Sequence, residues 1–188
     1  MFVTRPDGGI ELRLLEERHA GTVYTLVDRN RAHLREWLPW VDSTRSLQDI
    51  ETYIKVGLQL LADNGAFNAG IWLNDELVGV VSYHRIDWAD STTAIGYWLA
   101  AGHQGSGIMT HAVRQMIDYA FDELHLNRAE IHCAISNARS RALPERLGCV
   151  EEGVLHQAEW LNDRFVDHVI YAVLARDWRS ARGQESLP

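Results

Sequence analysis

Cysteine is scarce in this chain. Cys133 and Cys149 are the only two, too few for a disulfide framework and without metal-ligand spacing, so both are expected as reduced thiols and neither as a nucleophile. Long apolar runs are missing as well. No stretch approaches the roughly 20 residues that span a bilayer, and Met1 to Ile10 has no signal-peptide core, so the expectation is a soluble, cytoplasmic protein with no membrane partner. Basic excess is absent: the net charge of −8 argues against a general binder of nucleic-acid backbone and leans weakly towards cationic substrates. Although there are nine histidines, among them His103, His111, His125, His132, His156 and His168, none shows H-E-x-x-H or comparable spacing, and no metal is expected. No G-x-S-x-G element supports a serine hydrolase. Internal repeats are lacking, and Pro, Gly or Ser enrichment is confined to Arg5 to Gly9 and Arg179 to Pro188. One domain over residues 1–188 is therefore expected, with loose ends at 1–9 and 179–188.

What the chain does have is Gly102 to Thr110, G-H-Q-G-S-G-I-M-T. Before it, Ala94 to Ala101 reads as a strand. After it, apolar residues recur at Met109, Ala112, Val113, Met116, Ile117, Ala120, Phe121 and Leu124, the spacing of a helix with one buried face. Strand, glycine turn, helix is a natural anion cradle, because first-turn amides have no helical partner and stand at the positive end of the helix dipole. Gly105 and Gly107 would let the backbone turn tightly and a ligand approach the main chain. A Walker loop is excluded, since Ile108 and Met109 follow Gly107 where Lys and Ser or Thr are needed. The spacing of Gly102, Gly105 and Gly107 also fails the dinucleotide fingerprint.

Along the rest of the chain, Ile10 to Leu15 reads as a strand and Ala20 to Val27 as a short helix. Pro39 should end any helix in Leu34 to Val41, leaving Trp37 and Trp40 near a turn, either as a plug on the core or as a pocket wall. Ser46 is a candidate N-cap for a helix with Ile50, Tyr53, Ile54, Gly57, Leu58 and Leu61 on its apolar face. Ala66 to Leu73, Leu77 to Arg85 and Thr92 to Ala101 read as three successive antiparallel strands, and Arg128 to Ser136 as the strand after the glycine-loop helix. A helix then runs to Leu147 and stops at Gly148. Pro144 cannot donate to the Ser140 carbonyl, so this helix is expected to be distorted or to start late, with that carbonyl unpaired. Val150 to Trp160 and Phe165 to Leu174 read as a closing hairpin. The expectation is a mixed α/β (α+β) fold with a mostly antiparallel central sheet flanked by helices.

Four segments of this sequence resemble the GCN5-related N-acetyltransferases (GNAT), and within them the branch that modifies ribosomal-protein N-termini. Gln104 and Gly107 match the family's pyrophosphate loop, with Met109 departing from its last position. Leu38 and Pro39 with their flanking Trp37 and Trp40 match a W-L-P-W segment near the acceptor site. Asn137 and Ser140 match an N-x-x-S pair, and Glu159 lies in Q-A-E-W-L-N, similar to Q-A-E-Y-L-N. The resemblance implies the acyl-CoA N-acyltransferase fold, acetyl-CoA as donor, an amine as acceptor and direct attack without a covalent enzyme intermediate. It implies that Leu99, Ala100 and Ala101 offer backbone groups to the pantetheine arm, and that amides of Gln104, Gly105, Ser106, Gly107, Ile108, Met109 and Thr110 hold the pyrophosphate. Asn137 would contact the pantetheine, a role compatible with capping its helix. Ser140 would assist the departing thiolate, Glu159 would serve as base, and Trp37, Trp40 and His156 would line the acceptor side. A homodimer is a further implication.

The favoured acceptor is a protein N-terminal α-amine, that of a ribosomal protein by the resemblance; the alternatives are a small amine such as a polyamine, amino acid or amine antibiotic, and a non-catalytic CoA-binding module. Protonation separates the amines. An α-amine of pKa near 7.7 is roughly a sixth neutral at pH 7, whereas a lysine near 10.4 is neutral only about four times in ten thousand. One modest base suffices for the first.

Overall fold

A computed structural model describes residues 3–4 and 9–185. Its strands are β1 (Val3–Thr4), β2 (Ile10–Leu14), β3 (Phe67–Leu73), β4 (Glu76–Asp87), β5 (Thr92–Leu99), β6 (Arg128–Ala134), β7 (Val150–Leu161) and β8 (Arg164–Leu174). Its helices are α1 (Ala20–Arg29), α2 (Arg31–Leu34), α3 (Leu47–Ala62), α4 (Ile108–Asp122), α5 (Ala138–Arg146) and α6 (Ala175–Glu185). One sheet contains all eight strands in the order β1-β2-β3-β4-β5-β6-β8-β7. Every neighbouring pair is antiparallel except β5 and β6.

Local chemistry explains the corners. Asn74 and Asp75 both adopt positive φ, 49° and 66°, and Asn162 and Asp163 do the same at 51° and 60°. Such pairs make the two-residue hairpin turns whose twist suits right-twisted strands. Helix α3 opens with a reciprocal cap in which Ser46 Oγ accepts from the Asp49 amide and Asp49 accepts from the Ser46 amide, satisfying donors the helix cannot.

One face of the sheet packs on α4. Ala112, Val113, Met116, Ile117, Ala120 and Phe121 of that helix are fully buried against residues such as Ala69, Val81, Ile95, Ile131 and Val169. On the other face α1 and α3 pack Val23, Val27, Ile50 and Ile54 against Trp72 and Val80. Beyond them, towards β6 and β8, that face opens into a cleft.

The parallel pair is short. β5 and β6 pair only at Thr92↔Arg128, Thr93↔Ala129 and Ala94↔Glu130, although β5 continues to Leu99 and β6 to Ala134. Past Ala94 the two strands splay, and the side of β5 that faces β6 has no ladder partner.

Two expectations are corrected. The tail from 179 is not loose, because α6 runs to Glu185. Trp178 is buried and donates from Nε1 to Asp118 (2.7 Å), Arg179 donates to the Phe121 carbonyl (2.6 Å), and Arg182 pairs with Asp118 and Asp122. One aromatic anchor and two arginines hold a helix whose sequence is otherwise polar. Residues 186–188 lie outside the described residues, as do 1–2 and 5–8 of the start expected to be loose; Val3–Thr4 pairs with β2.

The second correction concerns Pro144. Helix α5 starts at Ala138, directly after its cap Asn137, and the Ser140 carbonyl that the proline cannot serve accepts a hydrogen bond from the Tyr97 hydroxyl at 3.1 Å. A side chain on β5 replaces the missing backbone donor. Tyr97→Phe is therefore expected to orphan this carbonyl and cost about 1–3 kcal/mol of stability, read as a lowered urea midpoint.

Candidate active site

The splay between β5 and β6 opens into a cleft of about 1930 Å³, well above the roughly 300–1,000 Å³ of an ordinary small-ligand pocket. At one end stands the glycine turn. Gly105 and Gly107 take φ of +77° and +80°, and Gly107 is the N-cap of α4. The amides of Ile108, Met109 and Thr110 form the first turn and have no helical carbonyl to bond. A Cβ built at either glycine meets nothing within 4 Å, so the space over the turn is open to a ligand. The residues present fit a pyrophosphate.

Side chains brace this turn. Gln104 contacts His33 Nε2 on α2 (2.7 Å) and accepts from Arg139 of α5. Ser106 Oγ donates to the His103 carbonyl, and Arg146 donates to Thr110 Oγ1 at 3.0 Å. The amides of Ala100 and Ala101 are already used, the first by the Val78 carbonyl and the second by Asn30 Oδ1. Those two amides are therefore not free for the pantetheine arm, and the stretch of β5 that lacks a ladder partner lies upstream, between Ile95 and Leu99.

Midway along the cleft sits Ser140. Its amide is capped by Asn137 Oδ1 at 3.0 Å, its hydroxyl donates to Tyr97 OH at 3.2 Å, and Cys133 Sγ lies 3.3 Å from the same oxygen. Burial raises the Tyr97 phenol and the Cys133 thiol above their ordinary values, and burial pushes Cys149 up to about 12. Both thiols are thus protonated near pH 7.

At the far end is Glu159, on β7, with His168 Nε2 at 3.3 Å from its carboxylate. His168, His132 and His84 come from β8, β6 and β4 to line the same wall. His84 is the extra residue of a bulge in β4, between the pairs Tyr83↔Ile95 and Arg85↔Ala94, and its ring lies over Gly96, where a Cβ would fall 1.9 Å from Nε2. Desolvation, reinforced by His132, lowers the His84 pKa, which keeps the ring neutral at pH 7. Trp40 and Trp98 meet at 6.1 Å between centroids, and Trp37 packs on Ala134, Leu161 and Val166. The tryptophans are core plug and cleft wall at once.

An anion cradle, a splayed strand pair and a carboxylate joined by one cleft agree with the comparisons. The acetyltransferase (GNAT) domain family matches residues 10–150. The chain belongs to the GNAT acetyltransferase family. A putative ribosomal N-acetyltransferase, YdaF of Bacillus subtilis, is 36% identical over 183 residues, covering 97% of this chain and 100% of that protein. The ribosomal-protein-serine acetyltransferase of Escherichia coli is 34% identical over 163 residues, covering 87% of this chain and 91% of its own length. The solved structure of RimL, a ribosomal L7/L12 α-N-protein acetyltransferase in complex with coenzyme A, superposes with a TM-score of 0.87 at 29% identity, covering 92% of this chain and 97% of that one. As a GNAT enzyme, the protein is an acetyl-CoA-dependent N-acetyltransferase.

Most residues singled out from the family resemblance line the cleft: Leu99, Ala101, Gln104, Gly105, Gly107 to Thr110, Asn137, Ser140, Glu159, Trp37 and Trp40. Three do not. Ala100 is buried beneath it, Ser106 turns back on His103, and His156 is a solvent-exposed side chain bonded to Asp167 at 3.0 Å. The family motifs did not point to Tyr97, Cys133, His84 or Arg139. Tyr97 had one signal, because a proline one turn into a helix demands an outside donor for the carbonyl four residues back.

Proposed function

We propose that the protein acetylates the N-terminal α-amine of a protein, a ribosomal protein in the first instance, from acetyl-CoA. The observation that supports this most is Glu159, a carboxylate on the wall of the cleft that begins at the anion cradle. An α-amine needs only such a base, while a lysine must first be relieved of about 4 to 5 kcal/mol of deprotonation. The relatives named as ribosomal-protein acetyltransferases support the same reading.

Acetyl-CoA supplies an acetyl group activated as a thioester. The amides of Gly107 to Thr110 hold its pyrophosphate, and the unpaired edge of β5 takes the pantetheine as an added strand. Glu159, directly or through a water, accepts the proton of the incoming ammonium. The amine nitrogen forms its bond to the acyl carbon as the carbon–sulfur bond breaks, and the second proton that nitrogen sheds to become an amide passes to the departing thiolate, giving the free thiol of coenzyme A. The Ser140 hydroxyl turns its one proton from Tyr97 to the sulfur that leaves, a modest service because a thiol of pKa near 8.5 is a good leaving group. A cytoplasmic setting follows from such an acceptor. A homodimer belongs to the same reading and is supported by Val150, Leu155 and Trp160, large apolar side chains exposed along edge strand β7.

The test is thiol release from acetyl-CoA with peptides bearing a free N-terminus, N-blocked peptides containing lysine, and spermidine. Turnover confined to free N-termini is expected. Equal turnover of lysine peptides or spermidine would sink the α-amine reading.

A further inference from the structure

Strand β7 does not run evenly beside β8. Near the hairpin tip Leu161 pairs with Arg164, Trp160 with Phe165 and Glu159 with Val166; further along, Leu155 pairs with His168 and Val154 with Val169. Between these two registers three residues, 156–158, face one, Asp167. The hairpin therefore holds two extra residues in a bulge. Its effect is to choose a side chain. If the pairing beyond Leu155 continued without the bulge, Gln157 would stand opposite Val166, on the cleft wall, and Glu159 would be two residues further on. Side chains of alternate residues share a face, so a shift by two keeps the face and changes the occupant: an amide for a carboxylate.

The bulge has a cost and a clamp. Gln157 takes φ +53°, left-handed backbone in which a residue with a Cβ is strained. Asp167 meets that cost with both carboxylate oxygens. Oδ1 accepts from the Gln157 amide at 2.8 Å, and Oδ2 pairs with His156 Nδ1 at 3.0 Å. The Asp167 carbonyl accepts from the Ile135 amide at 2.9 Å, tying the clamp to the end of β6. The Gln157 amide bond and the His156 ring hold the Asp167 carboxyl below its usual range, so it is ionised at neutral pH.

We propose that Asp167 is a positioning residue for Glu159, fixing the β7 bulge that sets this carboxylate rather than Gln157 in the acceptor cleft. The proposal rests on the reading of Glu159 as the base. It also gives His156 a place: it belongs to the clamp, facing solvent, and not to the acceptor wall.

The experiment is a double-mutant cycle on the full chain, with kcat for a free N-terminal peptide and KM for acetyl-CoA measured for wild type, Asp167→Ala, Glu159→Gln and the double variant. Asp167→Ala is expected to lower kcat about tenfold or more, the scale on which small misplacements of a reacting group act, with the KM for acetyl-CoA unchanged. In the Glu159→Gln background the same substitution is expected to change nothing further. Asp167→Asn, which keeps one carbonyl oxygen for the Gln157 amide, should restore most of the rate. If Asp167→Ala lowers kcat by the same factor in both backgrounds, or leaves it unchanged, the positioning role is wrong. Full activity in Glu159→Gln alone would instead overturn the base assignment, and the inference with it. Should Asp167→Ala not fold, His156→Ala removes one of the two clamp bonds; a smaller fall in kcat that vanishes in Glu159→Gln supports the clamp, and an equal fall in both backgrounds refutes it.

Discussion

Glu159→Gln is expected to lower kcat on a free N-terminal peptide by about 10²- to 10³-fold, within the range a general base supplies, with affinity for acetyl-CoA retained. The amide has nearly the shape of the carboxylate, so the loss is of proton acceptance and not of packing. Alkaline pH discriminates between the two. An α-amine of pKa near 7.7 goes from roughly one-sixth neutral at pH 7 to nearly all neutral at pH 9, a gain of about sixfold that should appear in the variant's rate if deprotonation is what it lacks. Ser140→Ala should slow turnover less, since the thiolate needs little help to leave. Wild-type kcat in Glu159→Gln at pH 7 would remove this carboxylate from the chemistry.

Gly107→Ala is expected to weaken acetyl-CoA binding by about 10- to 100-fold, for two physical reasons. Its φ of +80° costs a residue with a Cβ about 1–2 kcal/mol, and the methyl group would stand in the open volume over the first turn of α4. Protein atoms come nowhere within 4 Å of that point, so the substitution displaces a ligand and leaves the core alone. Gly102→Ala is the control. It also meets nothing within 4 Å but has no left-handed backbone to strain, and its affinity for coenzyme A by titration calorimetry should match the wild type. Equal affinity in Gly107→Ala would mean that the pyrophosphate is held elsewhere.

Much of this was readable in advance. The cradle announced itself through Gly105 and Gly107 ahead of a periodic helix, and the two hairpins through short polar connections at Asn74 and Asn162. These are local signals, written within a dozen residues. What escaped is set by contacts between distant segments. The tail's large apolar anchor is Trp178, and its hold on α4 depends on Asp118 and Asp122, some 60 residues away. Tyr97 meets Ser140 across 43 positions. The β7 bulge lies within one hairpin, but it is a mismatch between two registers, and a shift by two residues leaves the alternation of faces unchanged, so the pattern does not record it.

The splay of β5 from β6 also binds the fate of the fold to its cosubstrate. A sheet whose central pair closes over three rungs leaves the rest of that edge to water, and whatever docks there completes the ladder. A ligand that binds only the folded chain stabilises it by RT ln(1 + [L]/Kd), about 2.7 kcal/mol at a hundredfold excess over Kd. The stability of this enzyme is thus expected to rise with the acetyl-CoA around it, so that a donor in short supply leaves the catalyst nearer to unfolding.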